Sequence, residues 1–444
     1  MTDTLTKDEL IKIINSLFTM KDKNIIILTN QNITDKKLYQ SLSYYSKKWC
    51  LPIHLQAIRE LHLDNNEFIY GYEILFNILQ FSLIKILDLS NNNLDDKSAI
   101  LLSKYLNNNT NANTNTNTNM CLSTLENLDI SGNLIGCEGA KAIAESLKTH
   151  IYLNILDISE NNIGSEGANY IGEMLKVNKS IKILDINENN INIYECNIFA
   201  EGISINKSLY SLDIGYNDNE NIIYENENII YENIKKVFNL ILSSKSIMYL
   251  LCNFSNIDDL IVQYIANELK INNVITELSL TGNPISNEGA YLLFDALKNN
   301  PFTVLKTIIL SGITGINNEC LGSFAELIGN NEILQSVDME ATEIDNEGIL
   351  ELSKRSELKY NESIVVLKLG NEDIGEKISS ILTRNTNLFW YPYLHKFELF
   401  NYRFHCMLMS TLLCNTYGSL NLILPKDIII YIFTFFNRSN FLNY

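Results

Sequence analysis

Four near-copies of one short motif limit what this chain can fold into: LDISGNLIG from Leu128, LDISENNIG from Leu156, LDINENNIN from Leu184 and LDIGYNDN from Leu212. Successive copies begin 28 residues apart. A fixed period of that length marks a stack of similar supersecondary units. Within a unit, Leu128, Asp129 and Ile130 alternate apolar and polar, the pattern of a short strand buried on one side. Ala140, Ile143, Ala144 and Leu147 then fall three and four apart, which places them on one face of a helix. The same spacing returns at Ala168, Ile171, Gly172 and Leu175, and at Ala290, Leu293, Phe294 and Leu297. Neither element can bury its apolar side alone, so the units must stack and share one interior. An Asn recurs after each strand (Asn92, Asn133, Asn161, Asn189, Asn217, Asn283). Its amide both donates and accepts, so it suits a tight turn whose backbone groups need partners from its own and the neighbouring coil.

The combined pattern, LxxLDIxxNxIGxEGAxxIAxxLK, resembles the leucine-rich repeat. It is most similar to the 28-residue variant found in ribonuclease inhibitor, the Ran GTPase-activating protein, the carmil actin regulators and NLR receptors. The resemblance implies an α/β horseshoe solenoid of strand-turn-helix coils. Parallel strands sit about 4.8 Å apart and packed helices about 8–10 Å, so strands belong on the concave side. The resemblance does not choose a function, because this repeat serves proteins with unrelated partners.

Aligned on the second strand hydrophobe, the sequence yields twelve coils: Leu28, Leu63, Leu89, Ile130, Ile158, Ile186, Ile214, Cys252, Leu280, Leu310, Met339 and Leu369. The copies at Leu28, Cys252 and Leu310 are degraded. Expected boundaries are a capping helix over 1–24, the solenoid over 25–390 and a small helical tail over 391–444. Two long steps have visible causes. Residues 107–119 (NNNTNANTNTNTN) have nothing to bury and read as a disordered loop. Residues 221–234 duplicate NIIYENE as NIIYENI, either a surface loop or a lengthened helix, or an acidic aromatic contact loop.

A net charge of −18 disfavours nucleic acid as a partner. The eight Cys form no CxxC and the five His are dispersed, so no metal site is expected. No cofactor fingerprint, P-loop or Ser/His/Asp order is present, and no enzyme is expected. The opening residues after Met1 are not a basic-then-apolar signal, and the scattered thiols suit a reducing compartment. A cytoplasmic protein is therefore expected.

Two surfaces are candidates for binding. The strand residue between the two core positions points to the concave face. It is Asp88, Asp129, Asp157, Asp185 and Asp213 in five successive coils, and again Asp338. Like charges at strand spacing repel, so the row needs cations, hydrogen bonds to Ser90, Ser131 and Ser159, or a basic partner. Asp is also the common residue at this position of the repeat. The second surface is Leu424-Pro425-Lys426-Asp427 followed by Ile428, Ile429, Ile432, Phe433 and Phe436. Pro425 and Asp427 suit a helix N-terminus. The stretch resembles the opening of an F-box, which implies docking on a Skp-type adaptor of a cullin ubiquitin ligase. An apolar helix capping the last coil is the other reading. The uncharged run after Asp427 is ten residues, short of the ~20 that span a membrane. The resulting expectation is a non-enzymatic interaction protein, with a ubiquitin-ligase recognition subunit as the leading specific reading. The alternatives are a regulator of a Ran-like GTPase and an inhibitor enclosing a basic enzyme.

Overall fold

The computed structural model describes residues 25–27, 59–66, 72–79, 82–107, 124–217, 227–370 and 375–390. The chain divides into two compact units, Met1–Asn385 and Thr386–Tyr444. The fold below is that of the first. The helix expected over 1–24, the Asn/Thr stretch from 108 and the tail over 391–444 lie outside the described residues.

Twelve short strands are present: β1 (Ile25–Ile27), β2 (Glu60–His62), β3 (Ile86–Asp88), β4 (Asn127–Asp129), β5 (Ile155–Asp157) and β6 (Ile183–Asp185), then β7 (Ser211–Asp213), β8 (Tyr249–Leu251), β9 (Glu277–Ser279), β10 (Thr307–Ile309), β11 (Ser336–Glu340) and β12 (Val366–Gly370). They form one parallel sheet in sequence order, so every strand pairs only with its chain neighbours and the sheet is open at β1 and β12. Helices connect successive strands from β2 onward, for example Tyr72–Leu79, Gly164–Leu175 and Asn287–Asn299. This is the solenoid expected from the period. The degraded copies at Leu28, Cys252 and Leu310 also form strands.

The register follows from the leucines. Leu128, Leu156, Leu184 and Leu212 stand abreast in β4 to β7. They are buried, as are Ile130, Ile158 and Ile186 after them and Ala168, Ile171 and Leu175 on the covering helix. A coil contributes about five such side chains, each adding roughly 1–3 kcal/mol of burial. The core is thus the sum of similar slices.

Polar groups between slices are tied by two asparagine ladders. Asn161 donates Nδ2 to the carbonyls of Ile130 (3.0 Å) in the preceding coil and Ile158 (3.0 Å) in its own, while its Oδ1 accepts from Ile135 N–H at 3.0 Å. The second ladder lies at the helix-to-strand turn. Asn206 donates to Leu175 O at 2.8 Å and accepts from Leu209 N–H at 2.7 Å. Asn178, Asn272, Asn300 and Asn361 repeat the arrangement. Where helices come closest, Gly172 faces Gly202: a Cβ on Gly172 would stand 2.4 Å from the Cα of Phe199. Of the duplicated segment, residues 228–234 are helical, part of the 16-residue helix Glu227–Leu242.

Candidate protein-binding face

With strand leucines turned inward, the flanking strand residues face outward and are half-buried. Pairing sets His62, Asp88, Asp129, Asp157, Asp185 and Asp213 side by side on β2 to β7. Five of the six predicted aspartates therefore form one continuous row. Asp338 does not join it, because Leu251, Ser279 and Ile309 occupy the intervening register positions. Its Oδ2 is instead held by Lys368 Nζ at 2.8 Å. The sequence already separates Asp338 from the five successive aspartates; its pairing with Lys368 comes from the structure.

Each aspartate has one oxygen committed to the backbone. Asp157 Oδ1 accepts from Ser159 N–H (3.0 Å) and Ser159 Oγ (2.6 Å). Ser90 and Ser131 donate to Asp88 and Asp129 in the same way. Asn187 donates twice to Asp185, and the Gly215 N–H donates to Asp213 at 2.9 Å. These bonds end each strand and account for Asp at this position on structural grounds. The hydrogen bonds to serine expected from sequence are present.

The row is less charged than its formula. Burial, then the neighbouring Asp157, pushes Asp129 up to about 6. Asp213 reaches about 6 for the same reasons, burial first. Asp185, between Asp157 and Asp213, is pushed by burial and both neighbours up to about 8. Burial, with Asp88 adding to it, also raises Asp157. At neutral pH the middle of the row therefore holds a proton, and a cation laid along it would release that proton.

Among the described residues one group has metal-ligand composition: His62, Asp64 and Asp88, with candidate atoms within 4.8 Å of one another. His62 Nδ1 lies 3.3 Å from Asp88 Oδ2, and Asn65 donates to Asp64 at 2.9 Å. Each member already has a hydrogen-bond partner. The adaptor-docking residues Leu424, Pro425, Ile428, Ile429, Ile432, Phe433 and Phe436 lie outside the described residues.

The sequence places a tight turn after each strand but does not show the left-handed residue within it. After β2 to β11 the chain enters the left-handed region there, at Asn65, Asn91, Glu160, Glu188, Tyr216, Phe254 and Ala341 and at Gly132, Gly282 and Gly312. The glycines at that offset were the available signal.

Comparison with known proteins agrees with the geometry. Residues 82–103, 121–144, 149–172 and 272–294 match the family model described as Leucine Rich repeat. The chain carries leucine-rich repeats. No curated protein matches it significantly. Among solved leucine-rich-repeat neighbours, an internalin from Listeria monocytogenes is similar at 14% identity and a TM-score of 0.39, covering 86% of this chain and 88% of that one. The actin-binding site 2 of leiomodin-1 is similar at 18% identity and a TM-score of 0.31, over 37% of this chain and 92% of that one. The tropomodulin C-terminal domain from Caenorhabditis elegans is similar at 12% identity and a TM-score of 0.29, over 46% of this chain and 99% of that one. Among the described residues, no helix is long and apolar enough to cross a membrane.

Proposed function

We propose that this leucine-rich-repeat chain is a non-enzymatic interaction scaffold whose outer sheet face docks a basic protein surface. The observation that carries the reading is the unbroken register of Asp88, Asp129, Asp157, Asp185 and Asp213, one carboxyl per coil on adjacent strands. One oxygen of each is used by the turn, and no ion pair joins Asp129, Asp157, Asp185 or Asp213 to a basic residue among the described residues. A basic partner would relieve their mutual repulsion. Four described cysteines are free thiols, which supports a reducing, cytoplasmic setting.

The finer reading is a ubiquitin-ligase recognition subunit, in which the sheet face holds the substrate and the segment from Leu424 to Phe436 holds a Skp-type adaptor. Its support is the sequence pattern of that segment. The first experiment compares affinity purification of the full chain with that of the double variant Asp157→Lys/Asp185→Lys. Loss of partner at unchanged melting temperature is expected. An unchanged set of partners from the folded variant would reject the face. A truncation after Asn421 tests the tail separately: adaptor and cullin should vanish while the face-bound partner remains.

A further inference from the structure

Five residues per coil reach the outer sheet face: the two before the inward leucine, the one after it, and the third and fourth after it. Among the described coils, the aromatic residues at those positions are Tyr210, Tyr216, Tyr249 and Phe254, and they fall on β7 and β8 and their flanking turns. Such a concentration in two adjacent coils has no structural cause in the repeat, since the core is already complete behind it. Aromatic side chains gathered on an exposed face mark interface anchors.

Two of the four are held at a conformational cost. Tyr216 and Phe254 sit at φ 52° and 48°, where a bulky side chain is a genuine outlier. Their rings stack at 4.5 Å with planes 24° apart, and they stay 46% and 42% exposed. The ring of Phe254 lies over Gly282, where a Cβ would come within 2.2 Å of it. The three coils thus make a ledge of two rings on a glycine backbone. At the other end of the strands, Tyr210 and Tyr249 meet edge to face at 6.2 Å.

The ledge is set among carboxylates. Glu188 N–H donates to Gly215 O at 3.1 Å, which sets Glu188 in the coil beside Tyr216, and Asp213 ends the strand three residues before it; burial first, then the charges of both acids, pushes the Tyr216 phenol up. Across the strand from Tyr249 stands Glu277, whose carboxyl burial alone pushes up. Lys182, beside Tyr210 in the row, and Lys306 form no ion pair with these acids among the described residues. Flat aromatic faces bordered by unneutralised carboxylates suit a planar cation that stacks and accepts two-point pairing, which is a guanidinium rather than an ammonium.

We propose that the β7–β8 face is the anchor site for an arginine side chain of a protein partner, stacked on the Tyr216–Phe254 ledge and paired with Glu188 and Asp213. This rests on the reading that the sheet face docks a basic protein, and it names where and by what group.

The test uses the full chain and a fluorescein-labelled Gly-Arg-Gly-Arg-Gly peptide, read by polarisation. The same peptide with citrulline, isosteric but neutral, should bind at least tenfold more weakly, and the lysine peptide should fall between. The double variant Tyr216→Asn/Phe254→Asn suits left-handed backbone. It should lose at least tenfold in affinity with an unchanged or higher melting temperature. Should it fold poorly, Glu188→Gln interrogates the same site while leaving Tyr216 and Phe254 in place and should lose several-fold. Equal binding of arginine and citrulline peptides, no binding at millimolar concentration, or full affinity in the folded variants overturns the proposal. If affinity then still falls with Asp157→Lys/Asp185→Lys, the docking face stands and this anchor is wrong.

Discussion

The aspartate row makes its sharpest prediction at Asp185. An ordinary aspartate loses its proton near 3.8, whereas Asp185 holds it up to about 8. A raised folded value means that the folded state binds the proton more tightly than the unfolded chain. Its stabilising share is full below 3.8 and is lost as pH climbs toward 8. Each unit of separation is worth about 1.4 kcal/mol. Between pH 3.8 and 7 the unfolded chain gains on paper about 4 kcal/mol that the folded chain forgoes. Partial solvent access on the outer face reduces this to ~1–3 kcal/mol. Asp185→Asn removes the penalty and little else, since an amide oxygen can accept the same two bonds from Asn187, now at 3.0 and 2.8 Å. The new amide also points N–H groups at Asp157 and Asp213. The variant should therefore be more stable than the parent by ~1–3 kcal/mol at pH 8, with the gain gone near pH 4. Urea titrations followed by circular dichroism at both pH values would read it. A gain that is equal at both pH values, or a loss at pH 8, would refute the idea that crowded, half-buried carboxyls strain this face.

The other predictions probe the scaffold. Asn161→Ala leaves the Ile135 N–H without its 3.0 Å acceptor and strips three carbonyls of a donor; an orphaned buried N–H costs about 1–3 kcal/mol and each net bond about 1, so a loss of ~3–5 kcal/mol is expected in the same titration. Gly172→Ala would ordinarily gain up to about 1 kcal/mol of helix propensity. Here the added carbon meets backbone atoms of Ile198 and Phe199 at 2.5 and 2.4 Å, so packing wins and the melting temperature should drop. His150 takes an asparagine's place in the second ladder, its Nδ1 accepting from Leu153 N–H at 3.1 Å, and burial pushes it down to about 4. Its depressed value makes it a neutral acceptor whose share is full above 6.5 and is lost as pH falls toward 4. His150→Asn should remove that acid sensitivity and leave the midpoint at pH 7 nearly unchanged.

Much of this was legible because the repeat writes the same information many times. A single Leu-Asp-Ile is weak, but Leu128, Leu156, Leu184 and Leu212 at one spacing fix both the strand and its neighbour. The aspartate row followed from the alternation of strand side chains. The suppressed ionisation of that row did not, because it depends on burial and carboxyl spacing, quantities a residue string does not carry. The second ladder was missed since alignment was anchored on strands, leaving Asn178, Asn206 and Asn300 as scattered polar residues. The aromatic ledge was missed for a related reason: attention to one outward position per coil hid Tyr210, Tyr216, Tyr249 and Phe254, which occupy three others.

Stability and recognition are separated in this architecture, and that separation makes the outer face readable. The buried leucines and the asparagine ladders hold adjacent coils together through backbone groups and inward side chains. Outward positions are thereby free of folding duty, apart from the aspartate oxygen that ends each strand. A residue there that lowers stability needs a reason outside the fold. Asp185 holds its proton up to about 8, and Tyr216 and Phe254 are the two aromatic residues in left-handed backbone at an offset where the other described coils place Asn65, Asn91, Gly132, Glu160, Glu188, Gly282, Gly312 and Ala341. Both departures fall on the same stretch of the face, β6 to β8. Removing each should make the chain more stable and a poorer binder, a pairing of effects that a merely structural role would not produce.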